Sequence, residues 1–287
     1  MNKRTVNKRT VNRQTGYRSP AKQKYRDEVW NEFCRFLGSR RLRTASLAIL
    51  PGLEGLEIPF LQNRGIPLSN ITIIDSNPAV VATLKKRYPA LKTVGLPVVR
   101  AIEERIPRAS LQAINLDLCG SLCNHLLRDL SRIAASNAWD RYGDCAIAIT
   151  VLRGRETKGF LTKQSTIGLT DCSPENWNTQ ARTPDHSHTI SRIWHQMSTS
   201  RGYGFFWHSG VSIMDAVRLA AIERALSPTW KSSQVLLRNG GTYNSGKQTM
   251  LWSIWALNRQ CRRDGLLQNN EPVPTDFVTF ADNLRSK

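Results

Sequence analysis

Short apolar runs that alternate with helical patterns are the feature of this sequence that most restricts its fold. The apolar runs read "ASLAIL", "NITIID", "LKTVGLPVV", "LQAINLD" and "CAIAITVLRG". Between them, apolar residues recur at helical spacing, as Val80, Val81 and Leu84 do in a helix predicted over Asn77–Tyr88. Strands and helices that alternate in this way form a parallel sheet with right-handed crossovers. The sequence therefore predicts a doubly wound, Rossmann-like α/β fold.

The C-terminal half adds a different pattern to these five β/α units. After a helix predicted over Met214–Leu226 come two β-prone runs, "SSQVLLRNGGTYN" and "QTMLWSIWALNR", which the turn signal "SGK" joins. The pattern predicts a terminal antiparallel hairpin and hence seven strands. We expect one domain over residues 25–261, opened by a helix from Tyr25 to Gly38 and interrupted by a polar insertion at about 155–209. A C-terminal extension at 262–287 follows.

The charge of the chain points to a polyanionic partner. Its formal net charge is +19, and the sequence pI is about 10.3. Residues 1–24 begin with a tandem basic repeat, "NKRTVNKRTV", that lacks a hydrophobic period and predicts a disordered arm. Lysine and arginine along phosphates displace counterions, so we expect Lys3, Arg4, Lys8 and Arg9 to bind nucleic acid. The alternative is a repeat without a function.

Other classes of protein are disfavoured. No run approaches eighteen consecutive apolar residues, and no apolar signal core follows the basic N-terminus, so we expect a soluble cytoplasmic protein without membrane contact. Only two of the six cysteines, Cys119 and Cys123, lie close together, and no second pair completes a zinc site. We therefore expect free thiols and no metal. The oligomeric state stays open.

The segment "LPGLEGLE" follows the first strand and outlines a nucleotide-cofactor site. Gly52 and Gly55 give this strand-to-helix turn the freedom to bring its backbone close to a ligand. Asp75 ends the second strand, 23 positions after Gly52, where an acid can accept hydrogen bonds from ribose hydroxyls. The alternative is that Asp75 only caps the helix that follows it.

The terminal hairpin distinguishes this chain from nicotinamide-binding Rossmann domains, which have six parallel strands. Its order of elements over about Ser46–Arg259 resembles that of the class I S-adenosylmethionine-dependent methyltransferases. In that family's terms, "LAILPGLEGLE" corresponds to motif I. The resemblance implies S-adenosylmethionine as the cofactor. The residues that it implies as cofactor contacts are Pro51, Gly52, Gly55, Asp75 and Ser76.

Motif I of this chain departs from the family pattern, in which an acid precedes three glycines. Leu47–Leu50 is apolar throughout, and only two glycines follow it. Glu54 or Glu57 could supply the missing carboxylate from the other side of the turn. The departure supports a second hypothesis, a non-catalytic nucleic-acid-binding protein on a degenerate methyltransferase fold. A third is an adaptor that uses the aromatic insertion as an interface.

Asp117 ends the predicted fourth strand, where the resemblance places motif IV beside the transferred methyl group. We expect this acid to be catalytic and to orient or deprotonate the acceptor, which is either DNA or RNA. The alternative is an N-cap for a helix that begins at Ser121. Cys119 follows a leucine rather than the proline of cytosine-C5 enzymes, which favours a packed thiol over a nucleophile. The aromatic dipeptide of the DNA amino-methyltransferases is missing.

The insertion carries two further candidate sites. In "RGYGFFWHSG", Arg201 and Tyr203 lie among rings that could stack on nucleic-acid bases, or the segment could be a buried strand. His186, His188 and His195 lie near Asp185 and could ligate zinc. A polar rim around a substrate opening is the favoured interpretation of these histidines. The sequence thus predicts S-adenosylmethionine-dependent methyl transfer to nucleic acid.

Overall fold

The structure is a computed structural model that describes residues 19–140, 143–154, 156, 193, 213–227, 235–245 and 248–257. In these residues seven strands form one sheet, in the order β3-β2-β1-β4-β5-β7-β6. The strands are β1 (Ser46–Ile49), β2 (Ile71–Ile74), β3 (Lys92–Val94), β4 (Leu111–Ser121), β5 (Cys145–Leu152), β6 (Val235–Ser245) and β7 (Gln248–Leu257).

Strands β1 to β5 are parallel, and β7 lies antiparallel between β5 and β6. The terminal hairpin is thus inserted with its second strand inward. Apolar residues fill β1, β2 and β5, as expected for strands that are covered on both faces. The predicted fold, a doubly wound Rossmann-like sheet of seven strands with a terminal antiparallel hairpin, is confirmed.

Helices cover both faces of the sheet and create two hydrophobic cores. One core joins the sheet to α1, α2, α3 and α4, and the other joins it to α5, α6 and α7. Side chains alternate along each strand, so in β4 Ala113 faces the first core and Ile114 faces the second. The helices are α1 (Pro20–Leu37), α2 (Ser39–Thr44), α3 (Glu57–Asn63), α4 (Pro78–Arg87), α5 (Val98–Glu104), α6 (Asn124–Ala135) and α7 (Ile213–Leu226).

Helix α1 begins five residues before the predicted start at Tyr25. Ser19 caps it by accepting a hydrogen bond from the Lys22 backbone N at 3.2 Å, and Pro20 occupies the first turn. Residues 20–24, which the sequence assigned to a disordered arm, are therefore helical. The prediction failed because the lysines of this first turn resemble the basic repeat that precedes it.

Two predicted strands have different bounds in the structure. The third is only Lys92–Val94, and the residues after Pro97 form α5, because that proline provides the N-cap of a helix. The fourth does not end at Asp117 but continues to Ser121, with a shift in its register against β5 between these residues. The following helix begins at Asn124 instead of Ser121, and its N-cap is Cys123.

None of the helices in the described part of the chain is long and apolar enough to cross a membrane.

Candidate functional site

The carboxyl ends of β1, β2 and β4 bring the predicted site residues to one edge of the sheet. Ile49 pairs with both Ile73 and Asn115, so the three strands end side by side. Ligands of open α/β sheets bind outside this edge. The turn after β1, Asp75 after β2 and Asp117 in β4 therefore belong to one region, which we call the ligand edge.

The turn after β1 has the conformation that its glycines were predicted to provide. Gly52 and Gly55 have φ angles of +61° and +58°, a region that residues with a Cβ rarely adopt. A Cβ on Gly55 would lie 2.7 Å from Leu84 Cδ2, so α4 packs directly against the turn. The Ile58 backbone N donates a hydrogen bond to the Gly55 carbonyl at 3.0 Å, which leads the chain into α3. Pro51 is buried.

Glu57 does not offer a free carboxylate in place of the acid that motif I lacks. Its Oε1 accepts hydrogen bonds from Trp30 Nε1 and Asn115 Nδ2, each at 2.7 Å, which fix the carboxyl between α1 and β4. Burial raises the pKa of Glu57 to about 7, although these two hydrogen bonds oppose the rise. Glu57 therefore titrates near neutral pH inside the protein.

Asp75 does not cap α4, because Asn77 performs that role through its hydrogen bond from the Ala79 backbone N at 3.0 Å. Asp75 Oδ1 instead accepts a hydrogen bond from the Asn77 backbone N at 2.8 Å. Within the described residues, Oδ2 has no hydrogen-bond partner. Ser76 is exposed beside it. The Asp75 carboxylate is thus oriented and retains an oxygen for a ligand.

Asp117 is buried and half paired. Its Oδ2 lies 2.6 Å from Lys22 Nζ, and the two side chains are only 8% and 5% exposed. Its Oδ1 is buried and, among the described residues, has no hydrogen-bond partner. An unsatisfied buried acceptor costs about 1–3 kcal/mol, which functional sites tolerate more often than structural ones. Because α6 starts at Asn124, the N-cap interpretation of Asp117 is wrong.

A buried chain of hydrogen bonds lies next to Asp117. Thr150 Oγ1 donates to Tyr25 Oη at 2.8 Å, and this hydroxyl donates to Asn115 Oδ1 at 2.7 Å. Burial raises the pKa of Tyr25 well above its usual value, and the Asp117 charge raises it further. The phenol therefore stays protonated and remains a donor. Tyr243 stacks on the Tyr25 ring, with centroids 5.3 Å apart.

Sequence reasoning did not identify Lys22, Tyr25 or Asn115 as site residues. Lys22 was assigned to the arm, and Tyr25 was interpreted only as part of a hydrophobic helix face. Asn115 carried the usable signal, because a polar side chain in the middle of the apolar strand "LQAINLD" requires a buried hydrogen-bond partner.

A set of four charged side chains, which we call the clamp, joins the end of β5 to α7. Both carboxylate oxygens of Asp215 accept hydrogen bonds from Arg153, at 2.8 and 3.0 Å, and Arg218 Nη1 donates to Oδ1 at 2.8 Å. Arg218 also donates to both oxygens of Glu156, at 2.8 and 2.9 Å. The clamp joins the end of β5 to helix α7, which precede and follow the predicted insertion in the sequence.

Several predicted site residues lie outside the described residues. They are Lys3, Arg4, Lys8, Arg9, His186, His188, His195, Arg201 and Tyr203. Cys119 lies in β4, but its side chain is not among those described. In the part of the chain that the structure describes, no three His, Cys, Asp or Glu side chains are grouped as a metal site requires.

No protein-family model and no curated protein sequence matches this chain. Its structural neighbours include a proposed methylase from Haemophilus influenzae (9% identical; 81% of this chain and 98% of that chain covered; TM-score 0.43). A second is an S-adenosylmethionine-dependent methyltransferase from Aquifex aeolicus (10%; 86% and 97%; 0.42). A third is the 1,6-didemethyltoxoflavin-N1-methyltransferase of Burkholderia thailandensis, solved with S-adenosylhomocysteine (12%; 90% and 93%; 0.38). These three neighbours are named as methylases or methyltransferases, which is the class of protein that the sequence resembles.

Proposed function

We propose that this chain binds S-adenosylmethionine at the ligand edge and transfers its methyl group to a nucleic acid. The observation that carries the proposal is the order β3-β2-β1-β4-β5-β7-β6 with β7 reversed, which is the arrangement that the family resemblance requires. A glycine turn, an oriented acid and a half-paired buried acid stand along one edge of this sheet. Together these residues can hold a cofactor and an acceptor side by side.

The residues at the ligand edge fit the cofactor. The positive φ angles of Gly52 and Gly55 allow a tight turn whose backbone can approach a ligand, and the free Oδ2 of Asp75 can accept a hydrogen bond from a ribose hydroxyl. Pro51 and Ser76 complete the predicted cofactor contacts. When bound, S-adenosylmethionine supplies an electrophilic methyl group on a sulfonium ion.

Asp117 is the residue that we assign to the acceptor. A carboxylate oxygen can only accept hydrogen bonds, so the unpaired Oδ1 suits an N–H or O–H group of the acceptor. Lys22 Nζ holds the other oxygen at 2.6 Å and so orients the carboxylate. Orientation of the acceptor is the main contribution that such a transfer needs from the protein.

The attachment point of the basic arm supports nucleic acid as the acceptor. The arm joins the fold at Ser19, three residues before Lys22, and therefore beside Asp117. Residues 1–18 contain six basic residues (Lys3, Arg4, Lys8, Arg9, Arg13 and Arg18) and no acid. The clamp ties Arg153, which precedes the predicted insertion with Arg201 and Tyr203, to Asp215, which follows it. Phosphates bound by the arm would lie close to the ligand edge.

Calorimetric titration with S-adenosylhomocysteine tests the cofactor half of the proposal. We expect wild-type protein to bind it and Asp75→Ala to bind it about 10–100 times more weakly, since hydrogen bonds to a charged group contribute about 1.5–3 kcal/mol. Asp129→Ala, which removes a carboxylate from helix α6, is the matched control and should bind like wild type. Equal affinity in the Asp75 and Asp129 variants would remove Asp75 from the site.

Fluorescence anisotropy with a labelled single-stranded oligonucleotide tests the nucleic-acid half. We expect the logarithm of the affinity to fall linearly with the logarithm of the salt concentration. Replacing Lys3, Arg4, Lys8 and Arg9 together by glutamine should reduce that slope by up to about 3, at about 0.7 per phosphate contact. An affinity that does not respond to salt would contradict the assignment of a polyanionic partner.

Leu50 favours one alternative function. With leucine where the family has an acid, the chain could be a nucleic-acid-binding protein on a fold that has lost catalysis. This alternative predicts salt-dependent binding of the oligonucleotide and no binding of S-adenosylhomocysteine at millimolar concentration. The two titrations therefore separate the alternative from the methyltransferase.

A further inference from the structure

A cavity lies at the opposite edge of the sheet from the proposed methyltransferase site. Its volume is about 510 Å³. Helix α2, which ends just before β1 begins, forms one side, and the loop from α3 to β2 forms the other. Its lining contains two arginines and no carboxylate. The lining residues are Cys34, Leu42, Arg43, Asn63, Arg64, Gly65 and Ile66.

The Arg64 side chain is held in place on three sides. Its Cζ lies 3.6 Å from the centroid of the Phe60 ring, and its Nη2 donates to Asn31 Oδ1 at 3.1 Å. Asp27 is more distant, at 3.7 Å, and is itself 43% exposed, so it neutralises the arginine only weakly. The guanidinium is thus oriented without losing its charge to a close, buried partner.

The Arg43 side chain rests against the backbone of Gly65, which has a φ angle of +74°. A Cβ at Gly65 would lie 3.4 Å from Arg43 Nε and 3.8 Å from its Cζ, so this glycine leaves room for the guanidinium. Within the described residues, the Arg43 guanidinium has no ion pair and donates no hydrogen bond. Its backbone carbonyl accepts from Asn70 Nδ2 at 3.2 Å, which anchors the end of α2.

Cys34 shows that both positive charges act on the same cavity. Burial raises the pKa of the Cys34 thiol, and Arg64 and then Arg43 oppose this rise. Arg43, which is exposed, and Arg64 both line this cavity, and no lining carboxylate neutralises them. An anion placed between them would.

We propose that this cavity binds a phosphate group between Arg43 and Arg64. Guanidinium groups match the geometry of phosphate oxygens with paired N–H donors. The cavity volume falls within the range of about 300–1,000 Å³ of small-ligand sites, and Leu42 and Ile66 give it an apolar wall for the rest of a ligand. The phosphate can belong to a free nucleotide or to a nucleic-acid strand. This inference does not depend on methyl transfer.

Protection of Cys34 from alkylation tests the proposal on the intact chain. Iodoacetamide labelling is followed by peptide mapping, with inorganic phosphate replacing chloride at constant ionic strength. We expect phosphate at about ten times its dissociation constant to slow Cys34 labelling about tenfold, in line with site occupancy. Cys123, which is exposed on another part of the fold, is an internal control that phosphate should not affect.

Four variants decide the outcome, each judged by its own ratio of labelling rates with and without phosphate. Arg43→Gln together with Arg64→Gln should abolish protection of Cys34, and each single change should weaken it. Arg108→Gln removes an exposed arginine away from the cavity and should retain full protection. Protection that is missing in wild type, survives in the double variant or is lost in Arg108→Gln would overturn the proposal.

Two further probes identify the source of the phosphate. Adenosine monophosphate and a single-stranded oligonucleotide with hydroxyl ends are tested for protection of Cys34. Protection by adenosine monophosphate would identify a free nucleotide as the source of the phosphate. Protection by the oligonucleotide would identify a phosphodiester strand. If uncharged adenosine protects as well as its monophosphate does, the cavity does not recognise phosphate and the proposal fails.

Discussion

Two buried groups of charged side chains in this fold are built in opposite ways. In the clamp of Arg153, Glu156, Asp215 and Arg218, every carboxylate oxygen accepts at least one hydrogen bond from an arginine. At the ligand edge, Lys22 pairs with one oxygen of Asp117 and leaves the other buried without a partner among the described residues.

The two groups also differ in the pKa shifts of their acids. The arginine hydrogen bonds hold the pKa of Glu156 below its usual value, even though burial acts in the other direction. Glu57 at the ligand edge has the opposite balance, and its pKa is raised to about 7. A complete set of partners fixes the end of β5 against α7, whereas an incomplete set leaves groups that can bind a ligand or a proton.

The largest expected effect is the loss of the clamp. Arg218→Ala removes the partner of Glu156 and part of that of Asp215, and we expect it to lower the free energy of unfolding by about 3–5 kcal/mol. Urea denaturation followed by circular dichroism measures the change. Arg100→Ala, which breaks an exposed pair with Glu104, should leave the free energy of unfolding almost unchanged, because solvent screens this pair. If both variants lose similar amounts of unfolding free energy, the clamp stabilises the fold no more than an exposed ion pair does.

Glu57 should make the stability of the protein depend on pH. Because its pKa is raised in the folded state, its contribution to the free energy of unfolding is present below about pH 4.5 and is lost as pH rises through about 7. The loss approaches about 3 kcal/mol, because each tenfold change in proton affinity on folding corresponds to about 1.4 kcal/mol. Glu57→Gln retains an acceptor for Trp30 and Asn115 but cannot ionise.

Urea denaturation between pH 4.5 and 8 checks this expectation. As pH rises, the unfolding free energy of wild type should fall relative to that of Glu57→Gln. A difference that stays constant across this range would mean that Glu57 titrates normally. In that event the ligand edge would lack the carboxyl with a raised pKa that distinguishes it from the clamp.

The smallest expected effect on stability is at the Lys22–Asp117 pair. Replacing a buried ion pair by hydrophobic side chains of similar size is often neutral or stabilising, so Lys22→Met with Asp117→Leu should change the free energy of unfolding by less than about 1 kcal/mol. The single changes should cost more, because each leaves a buried group without its partner. If the double variant is as unstable as Arg218→Ala, the pair belongs with the clamp as a structural element.

Much of the fold could be predicted because its strands are apolar throughout. The runs at β1, β2 and β5 are covered on both faces, so their composition alone identifies them. The extension of β4 to Ser121 could not be predicted, since its irregular pairing with β5 leaves no period in the sequence. Tertiary contacts, which a local pattern does not contain, set that boundary.

The candidate site was predictable only in part for the same reason. Gly52, Gly55 and Asp75 lie at a spacing that the backbone of a β/α unit imposes, so the sequence shows them directly. Lys22 has no such spacing relative to Asp117, and among neighbouring basic residues it resembles any solvated lysine. Its role depends on how α1 lies across β4, which a single sequence does not show.

Methyl transfer from labelled S-adenosylmethionine to nucleic acid tests the central claim most directly. Wild-type protein is incubated with total RNA or DNA and the labelled cofactor, and the label in the purified nucleic acid is counted. We predict transfer by wild type and by Asp129→Ala, and its loss in Asp117→Ala while S-adenosylhomocysteine still binds. Tight binding of S-adenosylhomocysteine without label in either nucleic acid would contradict the account.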